Sequence, residues 1–241
     1  MNFENAFTAD KWSELWRIVI NEFPKALLAT LGVTIISTLI AIIIGLPIGV
    51  LLVVGEPNGV MPIPKIILKI LNIIVNLLRS LPFLILMILV IPITRAIVGT
   101  TVGTVASAVP LIIAAFPFVA RLVESSLREL NPNIIEAAQS MGASPMQIIC
   151  KVMIPESLPS LLNNFTLAIT TILGYNAMSG ALGGDGIGKI AISYGYNRYK
   201  TLVMFAAVIV LILLVQLFQT VGTMASTKCD KRIKHDNNRS E

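Results

Sequence analysis

A chain of 241 residues that is 55% hydrophobic and only 13% charged, with a mean hydropathy of +0.84, cannot be an ordinary water-soluble domain; lipid is its main solvent. Its apolar stretches are long and continuous, which suits membrane helices and not the short alternating segments of a membrane barrel. The expected fold is therefore all-α and polytopic, the formal net charge is +5, and no nucleic-acid partner is expected.

In chain order, residues 1–25 read as an interfacial N-terminal helix. Trp12, Leu15, Trp16, Val19 and Phe23 recur at helical spacing, and tryptophan favours the headgroup level of a bilayer. The apolar run that follows is too long for a secretory signal and lacks a small-residue cleavage site. Residues 26–227 form the membrane domain. Ala26–Gly55, Ala96–Ala120, Ser157–Gly184 and Thr201–Thr227 carry no charge and are each long enough to cross about 30 Å of hydrocarbon. A further span from about Leu71 to Thr94 contains Arg79.

Five transmembrane helices put the termini on opposite sides. With the C-terminus cytoplasmic, that side holds Lys65, Lys69, Arg79, Arg121, Arg128, Lys151, Lys228, Lys231, Arg232, Lys234 and Arg239 out of 18 basic residues. The positive-inside rule thus places the N-terminus outside. Residues 228–241 form a charged cytoplasmic tail, in which His235 has no second ligand nearby. Cys150 and Cys229 fall on the reducing side, so neither a disulfide nor a metal site is expected.

Ahead of the second span, Lys65, Lys69, Asn72, Asn76 and Arg79 form one polar helix face. Either they snorkel at the inner interface or they line an inward-open path. Arg79 belongs near the cytoplasmic boundary or in an aqueous vestibule, because an arginine at the bilayer centre costs roughly 2.5–3.5 kcal/mol.

Between the third and fourth spans the loop of about 124–160 is dense in helix punctuation. Asn131-Pro132 opens a helix running to Met141, and Gly142 stops it. Ser144-Pro145-Met146-Gln147 opens a second helix with a capping box, and Pro155 is expected to end that helix near Met153. The two short helices and their elbow make a knob suited to a groove on another protein.

In the fourth span Asn163, Thr166, Thr170, Gly174, Ala177 and Ala181 share a face of small and polar groups. That face serves close helix packing or a permeation path; Tyr175, Asn176, Met178 and Ser179 lie at its outer end, where a gate would close. None of the five intervals contains a carboxylate, which argues against a proton-coupled carrier. No paired nucleophile and base supports an intramembrane enzyme.

The run Gly183-Gly184-Asp185-Gly186-Ile187-Gly188-Lys189-Ile190 nearly spells a phosphate-binding loop. It lacks the Ser or Thr after the lysine and a preceding strand, and it falls on the external side. A tight external turn is the better reading.

Glu136-Ala137-Ala138, Gly142 and Val152-Met153-Ile154-Pro155 resemble the EAA signature of ABC-importer permeases. Arg79-Ser80-Leu81-Pro82-Phe83, Ile91-Pro92-Ile93-Thr94-Arg95, Val98-Gly99-Thr100, Phe116-Pro117-Phe118-Val119-Ala120-Arg121 and Gly174-Tyr175-Asn176-Ala177-Met178 are similar to the methionine-importer permease subfamily. The resemblance implies a bacterial cytoplasmic-membrane homodimer, two cytoplasmic ATPase subunits that bind ATP and Mg, and an external substrate-binding protein. It implies no catalytic residue and no cofactor in this chain. By the same resemblance, Glu136, Ala137, Ala138, Gly142 and Pro155 contact the ATPase; by composition alone, Ala137 and Ala138 are good helix formers and Glu136 a solvated charge. Methionine rests on the subfamily likeness, and other small amino acids and either enantiomer stay open.

Overall fold

The computed structural model describes residues 9–229. The tail residues Lys231, Arg232, Lys234, His235 and Arg239 lie outside them. Among the described residues the chain is helical, without strands: α1 Ala9–Asn21, α2 Phe23–Val54, α3 Lys65–Ser80, α4 Phe83–Leu89, α5 Ile91–Val98, α6 Thr104–Arg128, α7 Pro132–Ser140, α8 Pro145–Ile148, α9 Ile154–Glu156, α10 Leu158–Ser179, α11 Ile187–Ile190 and α12 Thr201–Cys229.

Among the described residues, four helices (α2, α6, α10 continued by a 3-10 turn, and α12) are long and apolar enough to cross a membrane. The second expected span is not one straight helix. Pro82 forces Leu81 into extended backbone (φ −83°, ψ 131°), so α3 and α4 form a broken pair bent by 109°. The third also departs from expectation. Gly99 and Gly103, at φ 80° and 101°, interrupt the chain where a helix was expected to begin. α6 starts at Thr104 and continues about two turns past Ala120, which brings Glu124 onto the helix. Its carboxylate is held by arginines of the same helix.

Contacts divide the chain into two compact units, each drawing on the four long helices. The first comprises residues 1–39, 82–114 and 169–217. Its core gathers Leu15 and Ile18 of α1, Phe23 of α2, Ile187 and Ile190 of α11, and Leu202, Val203 and Ala207 of α12. The aromatic face expected of α1 is thereby split. Leu15 and Phe23 turn inward, whereas Trp12 and Trp16 are 43% and 58% exposed. Glu14 of α1 pairs with Lys200 at 2.7 Å.

The second unit comprises residues 40–81, 115–168 and 218–241. Gly45 and Gly49 of α2, one turn apart, let α6 approach to backbone contact. A Cβ at Gly49 would lie 2.5 Å from Ala120 O and 2.6 Å from Val123 Cβ. Small residues spaced by four permit such contact where no hydrophobic effect drives lipid-immersed helices together. Apolar side chains of the end of α12, such as Val221 and Met224, remain outward, as lipid-facing surface requires.

Replacing Gly49 by leucine should separate α2 from α6. The cost expected of overpacking is about 1–3 kcal/mol, read as a lowered unfolding midpoint of the purified protein in detergent. An unchanged midpoint would show that this packing tolerates a side chain.

Candidate functional site

The expected elbow forms from the residues that predicted it. The Asn131 side chain accepts from Asn133 N at 3.0 Å, capping α7 with Pro132 in its first turn. α7 ends as Gly142 N donates to Gln139 O at 2.9 Å and Ala143 N to Ala138 O at 3.1 Å. Gly142 has φ +76°, a left-handed conformation that costs a residue with a Cβ roughly 1–2 kcal/mol. The reciprocal capping box is present: Ser144 N donates to Gln147 Oε1 at 2.9 Å, and Gln147 N donates back to Ser144 Oγ at 3.4 Å.

Burial divides the motif. Ala138 is tucked in at 4% exposure beside the buried Ile148, Ile149 and Met153. Glu136 and Ala137 face outward, with Met141 81% and Met146 61% exposed. Charge, small residues and flexible thioethers therefore share an open surface, a composition that adapts to a partner groove. Pro155 does not end the second helix near Met153. The chain widens into a π-helical turn over Ile149–Met153, with Ile154 N donating back to Ile149 O, and Pro155 sits in the first turn of α9. A proline there removes no needed donor, so helical structure continues to Glu156.

The two roots of this loop are pinned together. Ser160 Oγ donates to Glu129 Oε2 at 2.8 Å, and Asn164 Nδ2 donates to Ser126 Oγ at 2.8 Å and Leu122 O at 3.2 Å. Beside them is a polar cavity of about 470 Å³ lined by both serines, Glu129, Glu156, Asn163 and Asn164.

The face expected on α10 separates into two. Asn163, Gly174 and Met178 are exposed, and Thr166 and Thr170 half-buried. A Cβ at Gly174 would meet nothing within 4 Å, so close packing inside this chain does not account for that glycine. Asn176 and Ser179, by contrast, are 2% and 0% exposed. Asn176 Nδ2 donates to Thr30 O at 3.2 Å and Thr34 Oγ1 at 3.1 Å, and Ser179 Oγ donates to Asn176 O at 2.7 Å. Asn176 holds α10 to α2, Ser179 bonds back onto its own helix, and neither faces outward. Tyr175 stacks on Phe83, with ring centroids 4.6 Å apart and planes 4° from parallel.

The glycine run forms a turn into α11. Two of its amides are engaged: Gly184 N donates to Ser179 O and Ile187 N to Thr30 Oγ1, both at 2.9 Å. Lys189 pairs with Asp185 at 2.7 Å, and Thr104 Oγ1 donates to the same carboxylate at 2.9 Å. The lysine that a phosphate would need is thus already paired with a carboxylate.

Within the polar stripe of α3, two residues find partners on α6. Arg121 donates to Asn72 Oδ1 at 2.7 Å and Asn76 Oδ1 at 2.9 Å while pairing with Glu124. Asn72 and Asn76 are therefore acceptors for α6. Arg128 also holds Glu124, at 3.0 Å, and reaches Glu56 at 2.7 Å. Sequence reasoning missed this cluster, although Arg121, Glu124 and Arg128 stand three and four residues apart, the spacing of helix neighbours. Among the described residues no three His, Cys, Asp or Glu gather as a metal site, and Cys150 and Cys229 are free and exposed.

A family model described as the binding-protein-dependent transport system inner membrane component matches residues 45–233. The probable D-methionine transport system permease protein MetI of Vibrio cholerae is 45% identical over 84% of this chain and 90% of its own length. Its Haemophilus influenzae counterpart is 39% identical over 90% of this chain and 100% of its own length. A solved structure of the MetNI methionine ABC transporter in an inward-facing conformation superposes with TM-score 0.85 at 42% identity, covering 87% of this chain and 96% of that one. An amino acid ABC transporter solved with histidines superposes at 0.74 with 18% identity, over 92% and 100% of the two chains, a likeness of fold alone.

The Lys189 ammonium, helped by the Thr104 hydroxyl, holds the Asp185 carboxyl below the ordinary value of 3.8. A lowered value in the folded state means a stabilising contribution present above 3.8 and lost as pH falls through the folded value. The pair is partly exposed, so its size is at most about 1 kcal/mol. Asp185→Asn should flatten the fall in unfolding midpoint as pH is lowered from 5 towards 3, a range set by ordinary carboxylate titration. Equal slopes for the two proteins would remove the pair from the account.

Proposed function

Because the chain belongs to the family of binding-protein-dependent transport system inner membrane components, we propose that it is the membrane-spanning permease of an ATP-binding-cassette importer whose cargo is methionine. The observation that carries this reading is the elbow between α6 and α10, with Glu136 and Ala137 displayed and Gly142 at its corner, in a chain closely similar to MetI proteins. The working unit is a pair of these chains with two ATPase subunits on the cytoplasmic side and a substrate-binding protein outside. ATP and Mg belong to the ATPase subunits, and this chain does mechanical work without catalysis. It spans the bacterial cytoplasmic membrane several times, with its N-terminus outside and its C-terminus inside.

In this reading α7 and α8 seat in a groove of the ATPase, with Glu136 supplying a charged contact and Ala137 allowing close approach. Ala138 holds the elbow's shape from within, and Pro155 stands exposed at its far end. When the ATPase pair closes on ATP, the elbow moves and the permease pair exchanges an inward-open for an outward-open state. The outward face of α10, with Asn163, Gly174 and Met178 exposed and Thr166 and Thr170 half-buried beside them, lines the path or meets the second copy. Tyr175, stacked on Phe83, belongs to the outer gate, and Asn176 and Ser179 brace it from behind.

The test is uptake by proteoliposomes containing the permease, its ATPase and its binding protein. Labelled methionine should accumulate only with ATP and all three components. Transport by this chain alone under an ion gradient would overturn the reading. Glu136→Arg and Gly142→Leu should each lower uptake by about tenfold or more, consistent with a coupling free energy of about 1–3 kcal/mol. Normal ATPase association, stimulated hydrolysis and uptake in both variants would move the coupling site elsewhere.

A further inference from the structure

The cluster around Arg121 and Arg128 occupies the last turns of α6, immediately before the elbow begins at Pro132. Charge balance explains only part of its construction. Glu124, with its side chain 12% exposed, is gripped by both arginines, and Glu56 neutralises the second of them. Asn72 and Asn76 contribute no charge. They nevertheless receive one terminal nitrogen of Arg121 from two successive turns of α3, which fixes the orientation of the planar guanidinium. Its Nε is buried without a partner, so the fork is committed to these contacts. The opposite side of the same α6 turns is tied to the start of α10 through Ser126 and Glu129. Both roots of the elbow thus move as one piece, and Arg121 and Arg128 join that piece to α3 and to the α2–α3 turn at Glu56.

We propose that Arg121 and Arg128 are positioning residues of the transport cycle, clamping the end of α6 to Asn72, Asn76 and Glu56 so that displacement of the elbow is delivered to α3. This rests on the permease reading given above. Without the clamp, the elbow still docks on the ATPase and ATP is still hydrolysed, but the push is absorbed in the short link 129–131. The clamp stays closed throughout the cycle.

The assembled complex, with ATPase and binding protein, should be reconstituted and its uptake and hydrolysis measured in the same vesicles. The double variant Asn72→Ala/Asn76→Ala removes the acceptors on α3 and leaves Arg121, Glu124 and Arg128 intact. Uptake per ATP should fall about 3- to 30-fold, the range of coupling changes seen for residues that touch no ligand, while hydrolysis and recovered complex stay near wild type. Asn72→Asp/Asn76→Asp, which keeps an acceptor oxygen at both positions, should restore the ratio. Glu56→Gln, at a side chain 42% exposed, tests the second arm with little risk to folding and should also lower uptake per ATP. Unchanged uptake per ATP in the alanine and Glu56→Gln variants overturns the proposal. So does a parallel loss of uptake, hydrolysis and complex that the aspartates do not repair, which marks a purely structural role. If the alanine variant fails to assemble, Glu56→Gln decides by the same ratio. Failure of the wild type to transport with ATP would instead defeat the permease reading.

Discussion

In hydrocarbon no water stands in for a missing hydrogen-bond partner, so each polar group carried into the bilayer must bring its own. Thr30 shows how economically one residue meets that demand. Its hydroxyl donates to Ala26 O and accepts from Ile187 N, while its carbonyl accepts from Asn176. One side chain and one peptide group on α2 thereby fix α10 and the start of α11. Gly186, whose Cβ would collide with the Thr30 hydroxyl, is the concession that lets the chain come so close. The knot adds direction to an apolar core, whose burial is itself non-directional.

The second unit meets the same constraint with charge. Glu124, with its side chain 12% exposed, would be costly alone, but four alternating charges and two amides pair with one another and leave only the buried Arg121 Nε without a partner. Arginine suits this work because its planar fork can address a carboxylate and two amide oxygens together, which a lysine ammonium does with less geometric control. The elbow leaves the membrane domain between these tied roots, so its few exposed groups are presented from a braced support.

How far the sequence could be read follows the range of the interactions involved. The elbow was legible almost to the residue, since caps, a glycine stop and a capping box act within four residues of one another. The apolar runs located the long helices for the same reason, hydropathy being a local property. Pro155 misled because a π-helical turn can absorb a proline that an α-helical register cannot. Asn176 and Ser179 share α10 with exposed neighbours, and only the position of α2 reveals that they point inward. The α3 stripe has the periodicity of a lipid-interface helix, and nothing local announces that its two asparagines answer an arginine 45 or more residues away. For the asparagines of α3 and α10 the deciding partner was distant in the chain.

Gly188, in the run that imitates a phosphate loop, and Gly180 ahead of it have a mechanical consequence. A Cβ on Gly180 would come within 2.9 Å of Lys189 Cα, and one on Gly188 within 2.7 Å of the Ala177 carbonyl carbon. Two helical segments therefore cross with bare backbone against bare backbone. Interlocked side chains must change rotamer before their helices can shift, which makes ordinary packing behave like a ratchet. A crossing without side chains has no teeth. It brings the two segments to backbone contact, so a side chain at either glycine would have to push them apart.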